Sequence, residues 1–183
     1  MFLRKPMILA IPYTEFNPAK VTLHPQIDDK RGRPIHPMSY RDTYAQFTDV
    51  SIVTPPLTFS SYDPVTGRIV MECHGSQHRT FNGKMVAFQK HILTHIQPEA
   101  STMNSEDLDN MLQKLYNSRV LTLYTFPSTL VKLGNGTTCP ISELKAGSSI
   151  RCAVRLYGVM RLDYKGVPQL RIQHSVPAIW LSA

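Results

Sequence analysis

Residues 150–161 read Ile-Arg-Cys-Ala-Val-Arg-Leu-Tyr-Gly-Val-Met-Arg. In an extended chain successive side chains point to opposite faces, so this run sorts into two stripes. The even stripe, Ile150, Cys152, Val154, Leu156, Gly158 and Met160, is wholly apolar and must meet a core. The odd stripe, Arg151, Ala153, Arg155, Tyr157, Val159 and Arg161, carries three guanidinium groups and a phenol. Fourteen prolines in 183 residues break the unbroken helical periods that a bundle or coiled coil needs. The chain is therefore expected to be loop-rich and mainly β, with two helices. At 42% hydrophobic and 18% charged it has the apolar material for one globular core.

The other elements follow from turns and periodicity. Residues 1–47 hold Pro6, Pro12, Pro18, Pro25, Pro34 and Pro37 with a polar, basic run at 28–33, and read as a loop-rich N-terminal arm packed on, or extending from, a domain at 48–183. A strand from Asp49 to Phe59 is interrupted by Pro55 and Pro56. The turn Asp63-Pro-Val-Thr-Gly67 then leads into a return strand at 68–73, which makes a hairpin. Met85, Phe88, Ile92 and Ile96 form one face of a helix over 84–96. Asn104 or Ser105 caps a second helix, carried by Leu108, Met111, Leu112 and Leu115 and expected to stop near Asn117. Strands are expected at 120–126, 129–133, 150–161, 167–173 and 176–181, with the turn Gly134-Asn-Gly136 and a turn holding Tyr164 and Lys165.

Charge is segregated along the chain. Residues 1–118 carry twelve basic and eleven acidic residues, a net of +1, while residues 119–183 carry eight basic and two acidic, a net of +6. Nearly all of the +7 excess therefore comes from the last third, and a polyanionic partner is implied. In residues 167–173 the alternation places Gln169, Arg171 and Gln173 on one side and Pro168, Leu170 and Ile172 on the other. A β face holding Arg151, Arg155, Tyr157, Arg161 and Arg171, with Tyr164 and Lys165 at the adjoining turn, offers cations to phosphates and flat groups to unpaired bases. The same residues could be the solvated side of an amphipathic sheet, but an ordinary surface mixes signs and this one does not. Trp180, among Val176, Ile179 and Leu181, could stack on a base or close the core.

The stretch Ile141-Ser-Glu-Leu-Lys-Ala-Gly-Ser-Ser-Ile-Arg-Cys-Ala-Val-Arg-Leu-Tyr-Gly-Val-Met-Arg, followed by Val167-Pro-Gln-Leu-Arg-Ile-Gln-His and by residues 176–180, resembles the C-terminal part of oligonucleotide-binding-fold (OB-fold) single-stranded DNA-binding proteins of bacteriophages and large DNA viruses. There, a leucine, two residues and a glycine lead into a long strand that ends in an aliphatic-Gly-aliphatic turn. The resemblance implies a five-stranded, partly open Greek-key barrel with a helical insert. It also implies non-catalytic binding of single-stranded DNA, or RNA, in viral or phage replication and recombination, with replication proteins as further partners and no cofactor. Many such proteins recruit those partners through an acidic tail; the residues here end Trp180-Leu-Ser-Ala183.

A rival constellation is histidine. Cys73, His74 and His78 precede His91 and His95, an i, i+4 pair on a helix, and together they imitate a zinc site. The Cys-x2-Cys half that makes such spacing diagnostic is missing, so a zinc-dependent nucleic-acid enzyme or zinc-stabilised module is the alternative reading. No Walker, Gly-x-Gly-x-x-Gly or Gly-x-Ser-x-Gly motif occurs, and the carboxylates do not cluster as a Mg²⁺ nuclease requires. Residues 7–11 after Arg4 and Lys5 are cut off by Pro12, which reads as neither a membrane span nor a signal peptide. Three cysteines, Cys73, Cys139 and Cys152, suit reduced thiols in an intracellular protein.

Overall fold

The computed structural model describes residues 9–43, 46–96, 104–126 and 128–182. Of the apolar stretch 7–11, residues 7 and 8 lie outside them. The chain is mainly β, and the described residues form one large sheet of fifteen strands and two α-helices. Fifteen strands run in chain order as β1 (Ile11–Pro12), β2 (Val21–Leu23), β3 (Ile27–Asp28), β4 (Pro34–Arg41), β5 (Gln46–Phe47), β6 (Val50–Val53), β7 (Leu57–Asp63), β8 (Arg68–Glu72), β9 (Leu112–Gln113), β10 (Tyr116–Asn117), β11 (Val120–Tyr124), β12 (Leu130–Lys132), β13 (Thr138–Pro140), β14 (Ser149–Tyr164) and β15 (Val167–Leu181). The helices α1 (Gln77–Ile96) and α2 (Ser105–Met111) both fall between β8 and β9.

The hairpin at Asp63 forms as expected. The Asp63 carboxylate accepts hydrogen bonds from Val65 N and Thr66 Oγ1, which holds that carboxyl below its ordinary range. Gly67 supplies the positive φ of +71° that the turn requires. An added Cβ there would run into the carbonyl oxygen of Thr125, so only glycine fits.

Two helix boundaries differ from the sequence reading. Helix α1 starts at Gln77, a full turn and more before Lys84, and buries Phe81 with Met85, Phe88, Ile92 and Ile96. Helix α2 is capped by Asn104, whose side chain accepts from Asp107 N at 2.8 Å, but it ends at Met111 and not near Asn117. Leu112 and Gln113 leave the helix to pair in parallel with Leu170 and Arg171. Sheet pairing overrides the helical spacing of Leu112 and Leu115 while still burying both.

Strands within residues 1–47 join the large sheet. β1 pairs with β6, and β4 pairs with β14. Phe16 stacks against Tyr40 and Phe88 with ring centroids at 6.0 and 5.8 Å. The Lys84 ammonium donates to the carbonyls of Thr14 and Phe16. Helix α1 is thus held between this segment and the sheet.

Strand β14 is the spine. One edge pairs with β15 throughout, and the other passes in turn from β7 to β6 to β4. Two irregularities interrupt its ladder with β15, one between Ala153 and Arg155 and one between Leu156 and Gly158. The second leaves Tyr157 as an extra residue, a β-bulge, at the point where the other edge changes partner from β6 to β4. Beyond the bulge the chain turns at Lys165 and Gly166, both at positive φ, into a two-residue hairpin loop closed by Gly166 N donating to Asp163. The two strands expected at 167–173 and 176–181 are one continuous β15.

The sheet returns on itself. β11 pairs with β8, β8 with β7, β7 with β14 and β14 with β15. β15 comes back beside β11, the first strand of that series, and along β15 the strand β9 pairs at Leu170–Arg171 and β12 at Ile179–Trp180. Midway, the backbone N–H of Tyr124 in β11 donates to Nε2 of His174 in β15 at 2.9 Å, while Nδ1 of His174 lies 3.1 Å from the Ile172 carbonyl. A side chain thus supplies the hydrogen bond that a backbone carbonyl gives elsewhere in a sheet. The two contacts together require the neutral tautomer with the proton on Nδ1.

Burial holds the His174 pKa below its ordinary value of 6.5, and the Arg171 charge adds to the depression against the Ile172 hydrogen bond. The unfolded chain therefore takes up this proton at higher pH than the folded one, and the stability tied to it is present above about pH 6.5 and lost as pH falls through it. Melting curves from pH 8 to 5 should show a steeper fall for the native chain than for His174→Gln. Parallel curves would mean that folding does not lower the His174 pKa.

Candidate nucleic-acid interface

In an antiparallel pair, residues directly opposite one another present their side chains to the same face. On this basis the outer line of the β14/β15 ribbon holds Arg151 with Trp180, Ala153 with Ala178 and Arg155 with Ser175. The line is basic and exposed at Arg151 and Arg155. Arg155 is engaged, its Nε donating to the Asp49 carboxylate at 2.7 Å, so an acid from just before β6 neutralises one of the expected cations.

The bulge at Tyr157 then inverts the phase. Val159, assigned by unbroken alternation to the basic face, stands opposite Ile172 in the core, and both are fully buried. Arg161 follows on that inner line opposite Leu170, while Arg171 stands opposite Met160 on the outer one. The single basic face read from residues 150–161 is therefore corrected. Arg151, Arg155 and Arg171 share the outer line, Arg161 is on the other side, and Tyr157 sits at the bulge between them, about one-third exposed.

Arg171 finds a ring that the sequence reading left out. Its guanidinium carbon lies 4.9 Å from the ring centroid of Tyr124. In β11, Leu121 and Leu123 face the core, so Val120, Thr122 and Tyr124 look out. Arg68 of β8 is directly opposite Tyr124 and exposed. The outer face across β8, β11 and β15 thus reads Arg68, Tyr124, Arg171, with Gln169 and Gln173 on the same line of β15. Phe126, two residues beyond Tyr124, is 70% exposed.

Trp180 does not close the core. It lies half-buried on the outer line, with the Lys132 ammonium 5.9 Å from its ring centroid. At the other end of β15, the Lys165 ammonium lies 5.4 Å from the ring of Tyr164, which is 59% exposed. Three cation–ring pairs therefore mark one side of the ribbon. Nine residues separate Arg171 from Trp180 along β15, roughly 30 Å at about 3.3 Å per residue. None of Arg151, Arg171, Lys132 or Lys165 forms an ion pair with a described residue.

Tyr124 and Lys132 escaped the sequence reading because nothing local links them to residues 150–181. The signal available was the period-2 pattern of 120–124, which sets Tyr124 apart from Leu121 and Leu123.

The histidines fall into separate groups, with the rings of His91 and His95 packed together at 4.2 Å and the others apart from them. Cys73 is fully buried, and His74 lies 3.1 Å from the Glu72 carboxylate. Nδ1 of His78 meets the Tyr116 hydroxyl at 2.9 Å. Nε2 of His91 is 2.7 Å from the Val21 carbonyl, and Nδ1 of His95 is 2.9 Å from the His91 carbonyl. Among the described residues no three His, Cys, Asp or Glu side chains are gathered as a metal-ligand set. No helix of the described residues is long and apolar enough to cross a membrane.

No protein-family model, curated protein or solved structure matches the chain.

Proposed function

We propose that this protein binds single-stranded nucleic acid, without catalysis and largely without regard to sequence, along the outer face of β8, β11 and β15. The observation that carries the reading is the Arg68, Tyr124, Arg171 line together with the Lys132–Trp180 pair. Cations alternate there with rings, Arg171 and Lys132 free of ion pairs with described residues and Arg68 opposite Asp63, which is how a phosphate chain and its unpaired bases are held at once. Single strands are favoured over duplex because a ring flat on a sheet needs an unstacked base, which an intact duplex withholds.

The strand order supports an OB-like barrel. β7, β8 and β11 are sequential neighbours, and β14 returns after a long connection to lie beside β7, a Greek-key arrangement. β15 then meets the β11 side through the His174 contact. In folds of this kind the face of the second and third strands is the oligonucleotide platform, and here that face is β8 and β11. The helical insert sits between those two strands. By the family resemblance, the setting is replication or recombination of viral or phage DNA.

Fluorescence anisotropy with single-stranded DNA, duplex DNA and RNA of equal length tests the proposal. With roughly four to six phosphate contacts, log affinity for single-stranded DNA should fall against log salt with a slope near −3 to −4. A salt-independent affinity, or equal affinity for duplex, would overturn it. The same series ranks DNA against RNA.

A further inference from the structure

The β14/β15 ribbon outruns the sheet that supports it. The second edge of β14 has its last partner at Met160, opposite Ile35, and β15 gains its first outer partner at Leu170. Between them, residues 161–169 form a two-stranded finger that projects roughly 13 Å, four residues at about 3.3 Å each. The finger is firmly built, with Leu162, Asp163 and Tyr164 paired to Gln169, Pro168 and Val167 and its loop tied by Asp163. Its tip is apolar on one face, where Tyr164 is 59% and Val167 57% exposed, directly opposite one another. Adjacent exposed apolar groups on a hydrogen-bonded projection, with the Lys165 ammonium 5.4 Å from the Tyr164 ring, mark a surface suited to an anionic partner with apolar faces.

The finger continues the proposed interface. Tyr164 and Val167 stand on the same outer line as Gln169 and Arg171, so a strand lying on that line reaches the tip. Arg161, displaced by the Tyr157 bulge, is at the root of the opposite face. A second basic element flanks this end. β4 runs antiparallel to β14 with Ile35 opposite Met160, so the turn of residues 29–33 leaves the sheet on the finger's side. Arg33 is engaged by Asp29 at 2.7 Å, while Lys30 and Arg31 are exposed and make no ion pair with a described residue.

We infer that the finger, with the Lys30–Arg31 turn beside it, is a site for the end of a duplex where double-stranded DNA meets the single strand held on the outer face. Tyr164 and Val167 cap the terminal base pair, as an unpaired base would by stacking. Arg161, Lys30 and Arg31 take phosphates of the complementary strand as it leaves the duplex. The bulge gives one ribbon two faces for two strands. This inference rests on the single-strand reading above.

The test compares, by anisotropy, a single-stranded tail with the same tail attached to a short duplex. The native chain should bind the tailed duplex about tenfold more tightly, the worth of one added base stack. The double variant Tyr164→Ser, Val167→Ser should lose that preference and bind both DNAs alike, with an unchanged melting temperature, since both positions are exposed. A fluorescent adenine analogue in the terminal base pair should dim on addition of the native chain, because stacking quenches it, and not on addition of the variant. Changing Lys30 and Arg31 to Gln should make the salt slope shallower for the tailed duplex alone. If the tail binds but the attached duplex adds nothing, the finger inference is overturned and the single-strand reading stands. If neither DNA binds, both fall together.

Discussion

Replacing Tyr124 with Ala should weaken single-strand binding by about 1–3 kcal/mol whatever the base sequence, a factor of roughly 5 to 150. Adding Arg171→Gln should lower affinity further and make the salt slope shallower by roughly 0.7, one phosphate contact. Tyr124 is half-exposed with Arg171 over its ring, and its hydroxyl accepts and donates nothing that holds the fold, so the expected loss is one of binding. The backbone N–H of Tyr124 still reaches His174 in the variant, but the ring contact between Tyr124 and His174, with centroids 6.1 Å apart, is lost, so the melting temperature is read beside the affinity. Arg155→Gln is the control, because its guanidinium is engaged by Asp49. Anisotropy across a salt series, with circular dichroism to verify folding, reads all three. Should Arg155→Gln weaken binding as much as Arg171→Gln while Tyr124→Ala does nothing, the interface would lie on the other side of β14, facing β6.

The contrast between Arg155 and Arg171 shows what was legible in the sequence. Period-2 alternation put an apolar stripe at Ile150, Cys152, Val154 and Leu156, and each is buried. Charge segregation pointed to the C-terminal third, which does supply Arg171, Lys132 and Lys165. What failed was the assumption that alternation runs on unbroken. A β-bulge carries no composition of its own: Tyr157 looks like any strand residue, and only the exchange of β6 for β4 along the neighbouring edge calls for an extra residue there. The Asp49–Arg155 pair spans 106 residues and the Arg171–Tyr124 stack 47, so no local pattern could announce either. The closing contact at His174 was silent for the same reason, since it needs the return of β15 to the side of β11.

The bulge itself is testable at the two residues on either side of it, Leu156 and Val159. Leu156 and Val159 are both buried, at 1% and 0% exposure, although an unbroken alternation would put them on opposite faces. Leu156 precedes the extra residue and lines the core with Phe81, Met85, Leu121 and Leu123. Val159 follows it and meets Ile172. Leu156→Ala should therefore cost about 2–5 kcal/mol, as truncation of a buried leucine does. Val159→Ala should cost about 1–3 kcal/mol, from the loss of buried apolar area and the cavity left behind. For a chain of this length each kcal/mol lowers the melting temperature by roughly 2–4 °C, so both variants are read easily by calorimetry. Tyr157→Ala, between them and exposed at the bulge, should move the melting temperature by no more than a degree or two, because exposed substitutions cost within about 0.5 kcal/mol. None of the three touches the Tyr124–Arg171 pair, so single-strand affinity per folded molecule should hold for Leu156→Ala and Val159→Ala. A Val159→Ala chain as stable as the native one, with Leu156→Ala destabilised, would restore the unbroken alternation. Val159 would then look outward with Arg161, and the second face of the finger would vanish with the bulge.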